Sequence, residues 1–381
     1  MSRIKENTAA PEQGRPVKQK KKKSGLLGRI IRRTLLVLLT LVLLIVAGLW
    51  MVLNTIFHGP SEAAVEVLTM SLLEPSGTKW VPGLFLSDEE LDKIVNKGGA
   101  ALEDDFTDTS KVVINKDSTT SQTDEWKDYP DGIRIEELSG DTFNAYVMII
   151  RDPSQVYMAT STDGDFSRSV PGTRITAQIE TEGAIAAINA GAFFDNATSS
   201  PEVGSTPEGL VIADGKVRWN SGSAPEDGFV GFTEDNILVV AKTMTAAQAQ
   251  ELNIRDGCEF GPVLIMNGEV NQEAYNAASG WNPRTCIGQR EDGAVIFLCI
   301  DGRQPGSIGG TYKDCIDIMM EYGAVNACNL DGGSSSVMLY RDTYGLYGEA
   351  GQVQMINSYS LLQSEPRRMP TFWMVRPAEE G

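Results

Sequence analysis

At 381 residues the chain has room for two ordinary domains, or one large domain with appendages. Its formal charge of −18 joins two opposite populations: residues 1–33 hold 11 Lys and Arg against 2 Asp and Glu, and the remainder holds 22 against 49, a balance of −27. An acidic body of this kind repels nucleic-acid phosphates, and the single histidine, His58, leaves almost no scope for imidazole triads or His-rich zinc sites.

Taken in chain order, residues 1–33 form a basic tail, and Leu35–Leu53 follows as a run whose only polar side chain, Trp50 apart, is Thr40. Nineteen helical residues reach about 28 Å, close to the hydrocarbon thickness of a bilayer. A buried soluble helix would show a polar stripe, and a cleaved leader would be shorter and end in small residues. This run ends Leu49-Trp50-Met51-Val52, so the expectation is an uncleaved transmembrane anchor over 34–57. Lys20–Lys23, Arg29, Arg32 and Arg33 then keep the tail in the cytoplasm and put the body outside, in a single-pass cell-membrane protein. Beside a span, the lysine run suits anionic lipid better than nucleic acid.

Residues 58–131, with Pro60, Pro75 and Pro82, read as an extracytoplasmic connector carrying short helices. Ser87 followed by Glu90 is a capping box that starts one of them, and Leu102–Asp131 reads as a polar spacer. From 132 to 381 the texture becomes short apolar runs punctuated by Gly, Asp and Asn. Predicted strands are Ala145–Ile150, Ala184–Ile188, Gly209–Ile212, Gly228–Thr233, Ile237–Ala241, Pro262–Met266, Thr285–Gln289, Ala294–Ile300 and Ala324–Asn329. Predicted helices are Arg174–Glu182, Thr245–Leu252 and Thr311–Tyr322. The expected fold class is therefore α+β (mixed α/β): a central mixed β-sheet with flanking helices, with residues 285–336 as a βαβ-like crossover. Five cysteines, an odd number, imply at least one free thiol in an exported body, and Cys299 and Cys328 fall in apolar runs that suit buried thiols.

Several predicted strands begin or end in polar tips: Asn189-Ala-Gly-Ala-Phe-Phe, Pro207-Glu208-Gly209, Asn282-Pro-Arg284, Asp301-Gly-Arg303, and Asn329-Leu-Asp331-Gly332-Gly333-Ser334-Ser335. Each alone reads most simply as a turn. Together they place Asp301, Arg303 and Asp331 at one end of a sheet if their strands are neighbours. The Gly332–Ser335 turn would offer backbone N–H groups and hydroxyls to phosphate or sugar oxygens.

With their spacing, Asn189-Ala-Gly-Ala-Phe-Phe, Asn282-Pro-Arg-Thr-x-Ile-Gly288, Asp301-Gly-Arg303 and Asn329-Leu-Asp-Gly-Gly-Ser334 resemble the phosphodiester glycosidase family, over roughly residues 140–378. The family is named for the enzyme that uncovers mannose 6-phosphate by removing N-acetylglucosamine, and Ser334 stands where it usually has a third glycine. The resemblance implies hydrolysis between an anomeric carbon and a phosphodiester oxygen, on a sugar-phosphate or cell-surface polysaccharide substrate connected with exopolysaccharide. A phosphate monoester, with its second pKa near 6, leaves at neutral pH with little acid assistance and needs cations or N–H donors instead. Arg284 and Arg303 are candidates for the first and Gly332, Gly333, Ser334 and Ser335 for the second. Asp331, Asp301 and Glu208, in that order, are candidate catalytic carboxylates, and Asn189 a sugar-hydroxyl ligand. No cofactor is required by this chemistry. Two alternatives stay open: a non-catalytic carbohydrate-binding or assembly factor, and a hydrolase in which Asp195, Asp301, Asp331 and Asn329 hold calcium.

Overall fold

The computed structural model describes residues 26–74, 77–95, 97, 102–112, 124–164, 166, 170–194, 204–222, 228–277, 279–345, 347–359 and 365–378. They fall into two units, one ending at His58 and one starting at Gly59. In the first, α1 (Leu26–Phe57) is a continuous helix, apolar over most of its length after Arg33 and long enough to cross a membrane; a leader sequence would meet the same criterion. Lys20–Lys23 lie outside the described residues.

The second unit opens with α2 (Glu62–Leu73), started by Ser61, whose Oγ accepts a bond from the Ala64 amide. A helix at Asp88–Val95 follows, with the reciprocal Ser87 and Glu90 bonds of a capping box. The segment read as a connector thus belongs to the same unit as the sheets.

The elements that position the site are β1 (Asn144–Ile150), β2 (Ala186–Asn189), β3 (Arg284–Arg290), β4 (Val295–Ile300), α3 (Tyr312–Glu321) and β5 (Ala324–Leu330). Among the described residues, a seven-stranded sheet runs in the order Ile133–Ser139, β1, β4, β3, β5, Val263–Met266, Glu269–Val270. A five-stranded sheet is built around Ile254–Glu259. A second one orders Val353–Met355, Met338–Arg341, β2, Thr371–Val375 and Val156–Thr160.

The α+β class holds, but neighbouring strands are paired antiparallel rather than in the mixed pattern expected. The reason is local. The tight connection Glu291–Ala294 folds β4 back on β3 as a hairpin, and α3 then carries the chain to the far side of β3. The crossover from β4 to β5 is therefore present, and these two strands run the same way, but β3 lies between them.

Alternation along the strands decides the packing. In β4, Val295, Phe297 and Cys299 face a core shared by all three sheets, whereas Ile296, Leu298 and Ile300 face the core under α3. The unbroken apolar run of β4 is thus a strand buried on both faces. Helices Ile175–Glu182 and Ala246–Glu251 pack in the same way on the two five-stranded sheets. All five cysteines are free and buried.

Candidate active site

Antiparallel register brings the polar tips to one edge. Arg284 pairs with Ile300 and Thr285 with Leu330, so the start of β3 and the ends of β4 and β5 coincide. Beyond that edge lies a cleft of about 500 Å³. Glu208, Arg284, Arg303, Asn329, Asp331 and Gly332–Ser334 line it, together with Glu74, Lys79, Phe193, Phe260, Asn282, Tyr312 and Arg367.

Asp331 leaves β5 with its backbone held on both sides: its N–H donates to Ala190 O at 3.1 Å, and its carbonyl accepts from Asn189 Nδ2 at 2.5 Å. The turn that follows presses against the start of β3. Gly333, at φ 62°, donates its N–H to Pro283 O at 2.9 Å. A Cβ at Gly333 would also lie in the left-handed region that side chains disfavour, 3.4 Å from the Arg303 guanidinium. The amides of Ser335 and Ser336 are spent on Gly332 O and Gly333 O. The turn therefore offers a ligand fewer backbone donors than expected from its glycines.

The two arginines have different circumstances. Arg284 is 3% exposed, with Nε on Gly310 O, Nη2 on Gly280 O and Glu74 Oε1, and its plane 4.3 Å from the Tyr312 ring centre. Burial opposes its charge, but Glu74 and the neighbouring Tyr312 and Cys315 outweigh that and raise its pKa. Its Nε and Nη2 donors are committed inside the protein, and it forms part of the cleft wall. Arg303 lies exposed over the turn, held by one bond from Nη2 to Asn282 Oδ1 at 2.8 Å. Burial of its surroundings lowers its pKa, Glu74 opposes the shift, and Arg284 adds to it. Glu208 lies across the cleft, its N–H on Ala192 O, and burial raises its pKa.

Three predicted site residues lie off the cleft. Asn189 is fully buried: its Nδ2 holds Asp331 O, and its Oδ1 accepts from Thr285 Oγ1 and Val337 N. It positions Asp331 and, fully buried, does not line the cleft. Asp301 is 2% exposed, turned under Asn357 and Ser358, with Oδ2 accepting the Ser358 amide. Burial drives its pKa up to about 6. Ser335 is 1% exposed, because the turn points its side chain inward. As for calcium, the described residues contain no cluster of three acidic, His or Cys side chains fit to hold a metal, and Asp195 lies outside them.

Sequence reading passed over Glu74 and Arg367. Glu74 caps the C-terminal end of α2 and holds three partners: the Gly280 amide, Arg284, and Asn282, whose Nδ2 donates to Oε2 at 2.6 Å. Its local signal is only a glutamate before a proline. Arg367 stands in Pro366-Arg-Arg-Met-Pro370, a stretch whose prolines favour extended backbone, with its guanidinium 4.8 Å from the Phe193 ring centre.

A family model described as phosphodiester glycosidase matches residues 182–376, just over half of the chain. The chain belongs to the phosphodiester glycosidase family. All the quoted tips from Asn189 to Ser334 fall inside the matched region, and Glu74 does not. A curated relative, the SPbeta prophage-derived uncharacterized protein YomE of Bacillus subtilis (strain 168), is 34% identical over 85 residues. That alignment takes in 22% of this chain and only 13% of the relative's length. Among solved structures, the chain is similar to the zebrafish N-acetylglucosamine-1-phosphodiester alpha-N-acetylglucosaminidase catalytic domain auto-inhibited by pro-peptide, with a TM-score of 0.49 and 19% identity over 64% of this chain and 82% of that one. A hypothetical protein from Synechocystis gives 0.39 and 16%, over 64% and 61%.

Proposed function

We propose that the protein hydrolyses the glycosidic bond of sugar-1-phosphodiesters in cell-surface polysaccharide or glycoconjugate, outside the membrane and anchored by α1. The observation that carries this reading is the composition of one cleft: beside Glu74, which is paired with Arg284, the carboxylates Asp331 and Glu208 share it with the Arg303 and Arg367 guanidinium groups. The arginines match what a departing phosphate needs, and the carboxylates what an anomeric carbon needs.

In this reading the phosphate sits over the Gly333–Ser334 turn against Arg303. Asp331, its backbone fixed by Asn189, faces the anomeric carbon and stabilises the positive charge that develops there. Glu208, made more basic by burial, takes the proton of the attacking water. The phosphate departs as a monoester dianion, and no histidine or cofactor enters the scheme. Asp301 acts from behind, holding Ser358. The acidic surface disfavours long contact with a polyanionic polymer, so recognition is confined to the few groups inside the cleft.

The test is incubation of the full chain in detergent with an N-acetylglucosamine 1-phosphodiester, following reducing sugar and phosphomonoester by mass spectrometry beside Asp331→Asn. Release by the wild type and its loss in the variant is the expected result. Absence of release across several sugar phosphodiesters would leave a carbohydrate-binding protein instead.

A further inference from the structure

Two guanidinium groups meet the Gly333–Ser334 turn, one at each of these residues. Arg303, from the tip of β4, lies against Gly333 and is held by Asn282. Arg367, from a segment near the C-terminus, donates from Nη1 to Ser334 Oγ at 3.2 Å. Its position is fixed at two further points, one of them through a tyrosine that also holds the turn. Its guanidinium stacks on Phe193, its backbone N–H donates to the Tyr359 hydroxyl at 3.2 Å, and that hydroxyl donates to Ser334 O at 2.5 Å. Turn, tyrosine and arginine therefore close a ring, and the serine hydroxyl is the link that reaches the charged end of Arg367. With glycine at 334, as the family usually has, that link would be missing.

We propose that Arg367 is a specificity-determining residue that forms, with Arg303, a two-arginine clamp for the substrate phosphate, and that Ser334 positions it. The inference rests on the glycosidase reading and deepens it by naming the group that selects an anionic leaving group over a neutral one. A guanidinium fork matches phosphate oxygens in both charge and geometry, and two forks that meet one turn at successive residues, Gly333 and Ser334, can grip two oxygens at once. Stacking on Phe193 reduces the freedom Arg367 would otherwise lose on binding.

Titration calorimetry of the full chain in detergent, with inorganic phosphate and separately with N-acetylglucosamine, tests it without relying on turnover. Arg367→Ala is expected to weaken phosphate binding about tenfold or more, as for loss of a charge-assisted bond, with the neutral sugar unaffected. Arg367→Lys, which keeps the charge and loses the fork, should fall between. Ser334→Gly should weaken phosphate about threefold, in keeping with one bond's anchoring, and it carries the test if Arg367→Ala does not fold. Phosphate affinity equal to wild type in Arg367→Ala, an equal loss for the neutral sugar, or a wild type that binds no phosphate would each overturn the clamp. Phosphate binding that depends on Arg367 in a chain that hydrolyses nothing would leave the clamp standing and sink the glycosidase. Hydrolysis with a KM indifferent to Arg367 would do the reverse.

Discussion

Asp301 and Asp331 end two strands that flank β3, yet only Asp331 reaches the cleft. Asp301 turns into the protein, where burial raises its pKa to about 6, above its unfolded value of about 3.9. The folded state therefore holds the proton more tightly than the unfolded one. The associated stabilisation is complete below the unfolded pKa and is lost as pH rises through about 6, an effect of about 2–3 kcal/mol. Replacing it with Asn should abolish that slope, so urea midpoints of wild type and Asp301→Asn should draw apart between pH 4 and 7 in the variant's favour. Glu208 is also raised, and as a base it works only when ionised. Activity should fall as pH drops through its elevated pKa, and Glu208→Gln should remove roughly 10²- to 10⁴-fold of kcat together with that limb of the profile. Side-chain direction is what these residues did not disclose in advance. Asn189, Asp301 and Ser335 carry the right chemistry at the right strand ends, but one peptide of rotation separates a ligand from a buried brace.

At the level of elements, α2 is the part of the cleft least visible beforehand. Its proline-flanked surroundings suggested a connector, whereas its C-terminal Glu74 is the counter-ion of a nearly buried arginine. Truncation to Ala leaves that cation unpaired and should destabilise the fold by roughly 3–5 kcal/mol in denaturant titration. The helix also lies on the 280–282 loop, where Ser71 Oγ accepts the Trp281 amide at 2.7 Å. A Cβ on Gly280 would stand 2.2 Å from Ser71 N, so Gly280→Ala must displace α2. It should lower the same denaturation midpoint even though Glu74 is intact. The interior strands were legible because both of their faces are apolar: all nine predicted strands exist, with ends shifted by a few residues. Lys216–Asn220 escaped because it lies largely exposed at the margin of its sheet, and so carries no apolar signal.

For the whole molecule, the harder problem was the sheet holding β2. It draws strands from Val156–Thr160 to Thr371–Val375, and four of its five were not foreseen. Their identity as strands depends on partners far along the chain rather than on local pattern. The same non-local assembly holds two of the side chains named for a metal, Asn329 and Asp301, in the interior. Asn329 Nδ2 donates to Gly261 O, Asp301 Oδ2 is taken by Ser358, and neither can turn outward without breaking a buried bond. Turnover is accordingly expected to survive EDTA unchanged, and its loss would revive the calcium-dependent alternative. The five buried thiols have a practical corollary. Cys315, on the buried face of α3, and Cys286, beneath that helix, share one core layer, whereas Cys258, Cys299 and Cys328 lie where the three sheets meet. A thiol-blocking reagent can reach each set only when its own layer opens, so timed alkylation with peptide mapping would clock the peeling of a helix separately from the parting of the sheets. The protein carries its own pair of stopwatches.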